Sequence, residues 1–176
     1  FGIGYVVNNT DAEVRDNRMV SNNVTFGSNK FANLIFTGNT VYLRPGSAQA
    51  QVNIDQDGRQ NYTIDNNRYY GDERFTSGQI CSCILGFTDW QAAGFDLNST
   101  YTPTAPPDEY FVRPNTYQQG RANIAVYNWS GASSVSVDIS NAGLTNGQAY
   151  EIRDAQNFFA APLVSGTYNG SSVNIP

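Results

Sequence analysis

Few side chains in this sequence can do acid–base or nucleophilic chemistry. There is no histidine, Lys30 is the only lysine, and the two cysteines, Cys81 and Cys83, flank a single serine. Without an imidazole no Ser/His/Asp or Cys/His set can be assembled, and no side chain of ordinary pKa moves protons near neutral pH. Glycoside hydrolysis needs two carboxylates across a bond. Asp16 and Asp65 occupy nearby positions of a repeat, with Glu13 close to the first, but no two aspartates adjoin and both read as corner residues. A lyase would need Lys or Arg as its base. Lys30 lies in a turn-like stretch, where its pKa would have to fall far. Asp55-Gln56-Asp57-Gly58 begins like a calcium loop but lacks the remaining ligands, so it reads as a β-turn. A C-x-C pair can form a tight disulfide, pair between chains, or supply two metal thiolates. With no His and no third Cys a closed zinc site is not expected, and Cys81 and Cys83 read as a structural pair, reduced or locally bridged. No metal and no cofactor is expected. The chain alone is not expected to be an enzyme.

Binding demands less than catalysis. The chain holds 11 Tyr and 10 Phe but only 14 % charged residues, against the usual quarter. Aromatic faces stack on sugar rings and also dominate protein interfaces. Arg18 and Arg68 each follow an asparagine at the same repeat position, and Tyr69 and Tyr70 adjoin the second. These four are the candidate sugar or interface residues. Tyr101, Tyr110, Tyr117 and Trp129 are further aromatics in excess of a small core. Six N-x-S/T sequons, at Asn8, Asn23, Asn61, Asn98, Asn128 and Asn169, are possible glycosylation acceptors, although an Asn-, Ser- and Thr-rich chain also produces them by chance.

Net charge excludes one partner class. At −5, with nine scattered arginines, the chain has no cationic stripe for phosphates, and nucleic acid is not expected. No apolar run has the length of a membrane span. The opening Phe1-Gly2-Ile3-Gly4 reads as a mature, processed or excised form.

The elements that must position these residues are strands. Three segments align without gaps: 12–20, 34–42 and 62–70. Each carries an apolar residue three before an asparagine and another two after it, with Asn17, Asn39 and Asn67 in the shared position. The interval suits one circuit of a parallel β-helix. Asn tolerates the left-handed backbone of a sharp corner, and stacked circuits would set the three amides into a ladder. Residues 87–107 read as a capping segment and linker, with Trp90 and Phe95 placed to plug a coil end and a proline-rich stretch from Pro103 to Pro107. From 108 onward the texture changes to about six short alternating strands. Asn169-Gly170 is a strong hairpin signal between 163–168 and 172–175.

Phe111–Asn115, Gly120–Trp129, Tyr150–Phe159 and Ser165–Tyr168 resemble the C-terminal β-sandwich of secreted bacterial proteins with a right-handed parallel β-helix, of pectate-lyase-like architecture. Trp90–Ser99 resembles the segment that closes the helix in those proteins. The resemblance covers roughly residues 60–176. It implies an all-β chain: a short right-handed parallel β-helix over 1–86, the capping segment over 87–107, and a small antiparallel β-sandwich over 108–176. Some members degrade polysaccharides, so the resemblance implies that, were this chain an enzyme, it would be a polysaccharide lyase or glycoside hydrolase. This chain has only about three coil-length repeats, where such proteins usually have many more.

Two functions follow as expectations. The first is a secreted, extracellular or cell-surface, carbohydrate-associated protein, polysaccharide-binding or the non-catalytic C-terminal part of a polysaccharide-acting protein. The second is a structural protein whose coils stack on a neighbouring copy. The expected partner is therefore a polysaccharide or the chain itself.

Overall fold

The structure, a computed structural model, describes residues 2–3, 9–29, 31–54, 61–78 and 81–176, with the side chains of 81 and 82 excepted. The described residues are all-β apart from one short α-helix and two 3-10 turns. The chain divides into two compact units, Phe1–Pro106 and Pro107–Pro176. The segment 87–106 therefore belongs to the first unit.

In the first unit, successive passes of the chain lay strands onto three parallel sheets. One sheet holds β2 (Asn9–Arg15), β5 (Phe31–Thr37) and β8 (Asn61–Asp65). A second holds β3 (Arg18–Ser21), β6 (Thr40–Leu43), β9 (Arg68–Gly71) and β12 (Thr100–Thr102). The third holds β1 (Gly2–Ile3), β4 (Phe26–Ser28), β7 (Val52–Ile54) and β10 (Phe75–Ser77), all parallel, and ends on antiparallel β11 (Cys81–Leu85). Registers repeat from pass to pass: Val14 faces Phe36, which faces Ile64, and Met19 faces Val41, which faces Tyr69.

Alternation along each strand sends these residues inward. Phe36, Val41, Tyr69, Phe26, Val52 and Phe75 are wholly buried. Each such side chain contributes about 1.5–3 kcal/mol by leaving water. Rings stack through the interior: Phe26 on Phe36 at 4.1 Å, Phe75 on Trp90 at 5.4 Å, Trp90 on Phe95 at 4.4 Å between centroids. Trp90 comes from helix α1 (Phe87–Ala92), and both Trp90 and Phe95 pack into this core.

The corners correct one detail of the sequence reading. The left-handed residue is not the aligned asparagine but the one before it: Asp16 (φ 55°), Gly38 (φ 70°) and Asn66 (φ 58°). The asparagines serve through their side chains.

The second unit holds three two-stranded antiparallel sheets. They pair β13 (Glu109–Pro114) with β14 (Ala122–Tyr127), β15 (Val135–Val137) with β18 (Val173–Ile175), and β16 (Ala149–Ile152) with β17 (Val164–Thr167). Val135, Val137, Ile139 and Tyr168 form its buried core, packed by Val112, Ile124, Val126 and Tyr150. The expected hairpin at Asn169-Gly170 is not formed, because β17 and β18 pair with different strands. Asn169 Oδ1 instead accepts from Ser171 N at 3.0 Å, and Gly170 takes φ 87°. Tyr168 meanwhile extends the β16 pairing, its N–H donating to the Gln148 carbonyl at 2.9 Å and its carbonyl accepting from Gly147 N at 2.8 Å. This turn changes sheets rather than closing one.

Candidate functional site

Two constellations stand out in the first unit. One is internal and polar. Asn17 gives both its backbone N–H (3.0 Å) and Nδ2 (3.3 Å) to Asn39 Oδ1. Asn39 gives the same pair to Asn67 Oδ1, at 2.9 and 3.2 Å. Below Asn67 the role is divided. Ser99 Oγ accepts from Asn67 N at 2.7 Å, and Asp96 Oδ1 accepts from Asn67 Nδ2 at 2.9 Å. Asp96 also accepts from Ser99 Oγ (2.5 Å), Tyr69 Oη (2.8 Å) and Trp90 Nε1 (2.7 Å). It is a carboxylate with four donors and almost no exposure to solvent. Burial pushes its carboxyl above the ordinary value, and the bonds from Ser99, Asn67, Trp90 and Tyr69 pull back without cancelling that effect. Burial, together with the charge of Asp96, raises the Tyr69 phenol strongly. Enclosed in this way, Asp96 has a structural role as the terminus of the column and no access to substrate.

The other constellation is external. On the second sheet, inward residues Met19, Val41, Tyr69 and Tyr101 alternate with outward ones. Arg18, Thr40, Arg68 and Thr100 form one outward column, and Val20, Tyr42, Tyr70 and Thr102 the next. Neighbouring strands of a sheet are about 4.8 Å apart. The half-buried rings of Tyr42 and Tyr70 therefore sit on adjacent strands in direct register. Arg68 Nη2 donates to Thr40 Oγ1 at 3.1 Å, so the Arg68 side chain lies back along the sheet and covers that buried threonine.

Among the sequence candidates, Arg18, Arg68 and Tyr70 thus share one outward face. Tyr69 does not belong there: its ring is wholly buried and its hydroxyl is spent on Asp96. Its place in the apolar repeat, two after the asparagine, is the reason. Tyr42 was missed, although the repeat alignment places it opposite Tyr70. Among the other aromatics, Tyr101 donates to the Gly71 carbonyl at 2.7 Å, Trp129 stacks on Tyr127 at 5.4 Å, and Tyr117 is exposed on the second unit.

Cys83 is disulfide-bonded. Asn23, Asn61, Asn98, Asn128 and Asn169 are exposed. The Asn98 Nδ2 donates to Asp65 Oδ2 and the Asn128 Nδ2 to the Ala132 carbonyl, each at 2.7 Å. Asn8, Lys30 and the Asp55–Gly58 turn lie outside the described residues. Among the described residues no group of three or more His, Cys, Asp or Glu side chains could hold a metal, and no helix is long and apolar enough to cross a membrane. The second unit carries an open groove of about 570 Å³, lined by Leu144, Gln148, Tyr150, Glu151 and Gly166 among others. Its one carboxylate, Glu151, is tied to Arg153 at 2.8 Å.

No family model, no curated protein and no solved structure matches this chain.

Proposed function

We propose that this chain is an extracellular, carbohydrate-associated and non-catalytic module, built as a short right-handed parallel β-helix followed by a small β-sandwich, as in the C-terminal parts of pectate-lyase-like β-helix proteins. One observation carries the functional part: the outward face on which Tyr42 and Tyr70 stand in register beside the Arg18–Thr40–Arg68 column. Two aromatic faces on adjacent strands offer apolar contact to sugar rings. Two guanidiniums beside them favour a sugar acid, since Arg matches carboxylate geometry with paired donors. The ligand class that fits is an acidic polysaccharide such as a polyuronate.

Affinity electrophoresis through gels containing pectin or alginate tests this. Retardation is expected in those gels and not in neutral xylan. Tyr70→Ala and Arg68→Ala should each weaken it several-fold while leaving the melting temperature within a few degrees. Equal mobility in all gels, or retardation indifferent to both substitutions, removes the proposal.

The second reading, a structural protein whose coils stack on other coils, is favoured by a different observation. Among the described residues, β2 and β3 have a partner strand on one edge only.

A further inference from the structure

Two Asn-Gly pairs lie in the second unit, Asn146-Gly147 and Asn169-Gly170. They occupy adjoining turns. Asn146 Oδ1 is 3.7 Å from where a Cβ on Gly170 would stand, and Gly147 N donates to the Tyr168 carbonyl at 2.8 Å. All four residues are exposed, and both glycines take φ 87°. Sequence, exposure and the glycine φ therefore treat the two pairs alike. The pairing matters because an asparagine can be attacked by its own chain. Once deprotonated, the nitrogen of the following residue can bond to the asparagine Cγ, and glycine has no Cβ to block that approach. The attack is intramolecular, so local geometry governs its rate.

Hydrogen bonding separates the two pairs. Asn169 Oδ1 accepts from Ser171 N at 3.0 Å, which folds the side-chain carbonyl back over the Gly170 peptide. That N–H donates to the very oxygen on which negative charge develops during the attack. Among the described residues nothing accepts from Gly170 N or from Asn169 Nδ2. The nucleophile and the leaving amide are both open to water. At Asn146 the nucleophile is held, because Gly147 N keeps its proton in the bond to the Tyr168 carbonyl. Gln148 N, which stands where Ser171 N stands in the other turn, donates to the Thr145 carbonyl at 3.0 Å and not to Asn146 Oδ1.

We propose that Asn169 is a site of spontaneous self-modification, losing its side-chain amide to attack by Gly170 N, while Asn146 in the adjoining turn keeps its own. Gly170 N gives its proton to solvent base and bonds to Asn169 Cγ. The C–Nδ2 bond breaks and ammonia leaves, taking up a proton from water. The product is a five-membered succinimide, and no electrons are gained or lost. Water then opens the ring. Breaking the bond from Gly170 N to Cγ leaves aspartate at position 169. Breaking the bond to the main-chain carbonyl leaves isoaspartate, with the chain running through the former side chain. Either product adds one negative charge to a chain already at −5. Isoaspartate also lengthens the backbone between Tyr168, which is tied to Gly147 and Gln148, and β18, which pairs with β15.

The test incubates the full chain, made in a host that does not glycosylate, in mildly alkaline buffer with and without concentrated urea. Samples taken over weeks are digested with trypsin. Cleavage after Arg121 and Arg153 puts Asn146 in one peptide, 122–153, and Asn169 in another, 154–176. Mass spectrometry with fragmentation then reads amide-to-acid conversion at each asparagine, and an isoaspartate-specific methyltransferase reports the rearranged product. Breaking one hydrogen bond of ordinary net strength before attack converts to about tenfold in rate, so Asn169 should convert at least about tenfold faster than Asn146 in the folded chain. In urea both turns are lost, and the two rates should converge. Three results would overturn the proposal: no conversion of Asn169 in the folded chain, conversion of Asn146 at an equal or greater rate there, or the same preference for Asn169 persisting in urea.

Discussion

Asn67 Nδ2 donates to Asp96 Oδ1 at 2.9 Å, and at that bond a column of neutral amides becomes a buried carboxylate. Each asparagine both donates and accepts, so it can be repeated indefinitely. Asp96 only accepts, and it collects donors from Asn67, Tyr69, Trp90 and Ser99 at once. The same residue ends the polar column and anchors the aromatic cap.

Truncating the column should cost most where it is most enclosed. Asn67→Ala strands the N–H of Asn39 and the Phe36 carbonyl in the interior. Each buried group left unpaired costs about 1–3 kcal/mol, so a loss of about 3 kcal/mol is expected. Asn39→Ala should be comparable. Asn17→Ala, at an exposed corner, should cost under about 1 kcal/mol, since water replaces its partners. Urea unfolding midpoints at constant m-value check the order, and an Asn17→Ala loss matching that of Asn67→Ala would contradict it.

Three glycines separate backbone strain from steric conflict. Gly46, Gly38 and Gly71 all have positive φ. A Cβ on Gly46 meets nothing, one on Gly38 falls 2.2 Å from Asp16 Oδ1, and one on Gly71 falls 2.0 Å from the Leu43 carbonyl oxygen. The left-handed conformation alone costs an alanine about 1–2 kcal/mol. Gly46→Ala should show only that. Gly38→Ala should add little, because the Asp16 side chain can swing into solvent. Gly71→Ala meets backbone in a parallel ladder and should be the most damaging of the three, with a thermal midpoint well below the other two.

The column was readable in the sequence because apolar residues bracket each asparagine at fixed offsets: Val14 and Met19, Phe36 and Val41, Ile64 and Tyr69. All six point into the core. That pattern already placed Tyr69 inside, and aligning the segments places Tyr42 with Tyr70 on the outside. Reading Tyr69-Tyr70 as a surface pair overlooked the alternation of a strand. The left-handed corners were less legible, since Asp16, Gly38 and Asn66 share no residue type, only a tolerance of positive φ. Asp96 was not legible at all. Its donors come from residues 67, 69, 90 and 99, and no local spacing announces that they converge. Asn169-Gly170 misled for the opposite reason: its local signal is strong, but the strands on either side found other partners.

Raised by burial, the Asp96 carboxyl gives a pH signature with a definite sign. Its folded pKa lies above the ordinary 3.8. The group therefore contributes most to stability below that value, and the contribution is lost as pH rises through the folded pKa. Asp96→Asn has no such titration. The stability gap between the natural chain and Asp96→Asn should be widest near pH 3.5, narrow as pH rises, and become constant once the carboxylate is fully ionised. Urea midpoints of both chains from pH 3.5 to 8 measure it, and a gap that widens with pH would contradict the assignment.

The cost of replacing Trp90 should depend on Asp96. In the natural chain the indole Nε1 donates to Asp96 Oδ2 at 2.7 Å, and the ring stacks on Phe95 and Phe75. Trp90→Phe keeps an aromatic ring but removes the donor. It should destabilise by about 2 kcal/mol, partly the lost charge-assisted hydrogen bond and partly the smaller ring. Asp96→Asn keeps one oxygen for Asn67 and Ser99 but turns an NH₂ toward Tyr69 and Trp90. The tyrosine hydroxyl can rotate to accept from it. The indole N–H has no lone pair and is left buried without an acceptor. In that background Trp90→Phe deletes an unsatisfied donor instead of a bond, so its cost should vanish or become a small gain. A double-mutant cycle from urea unfolding at pH 7 reads the interaction directly, with a coupling of at least about 1.5 kcal/mol expected for residues in one hydrogen-bonded network. Additive losses would mean that the bond to Asp96 contributes little and that Trp90 acts through its ring alone.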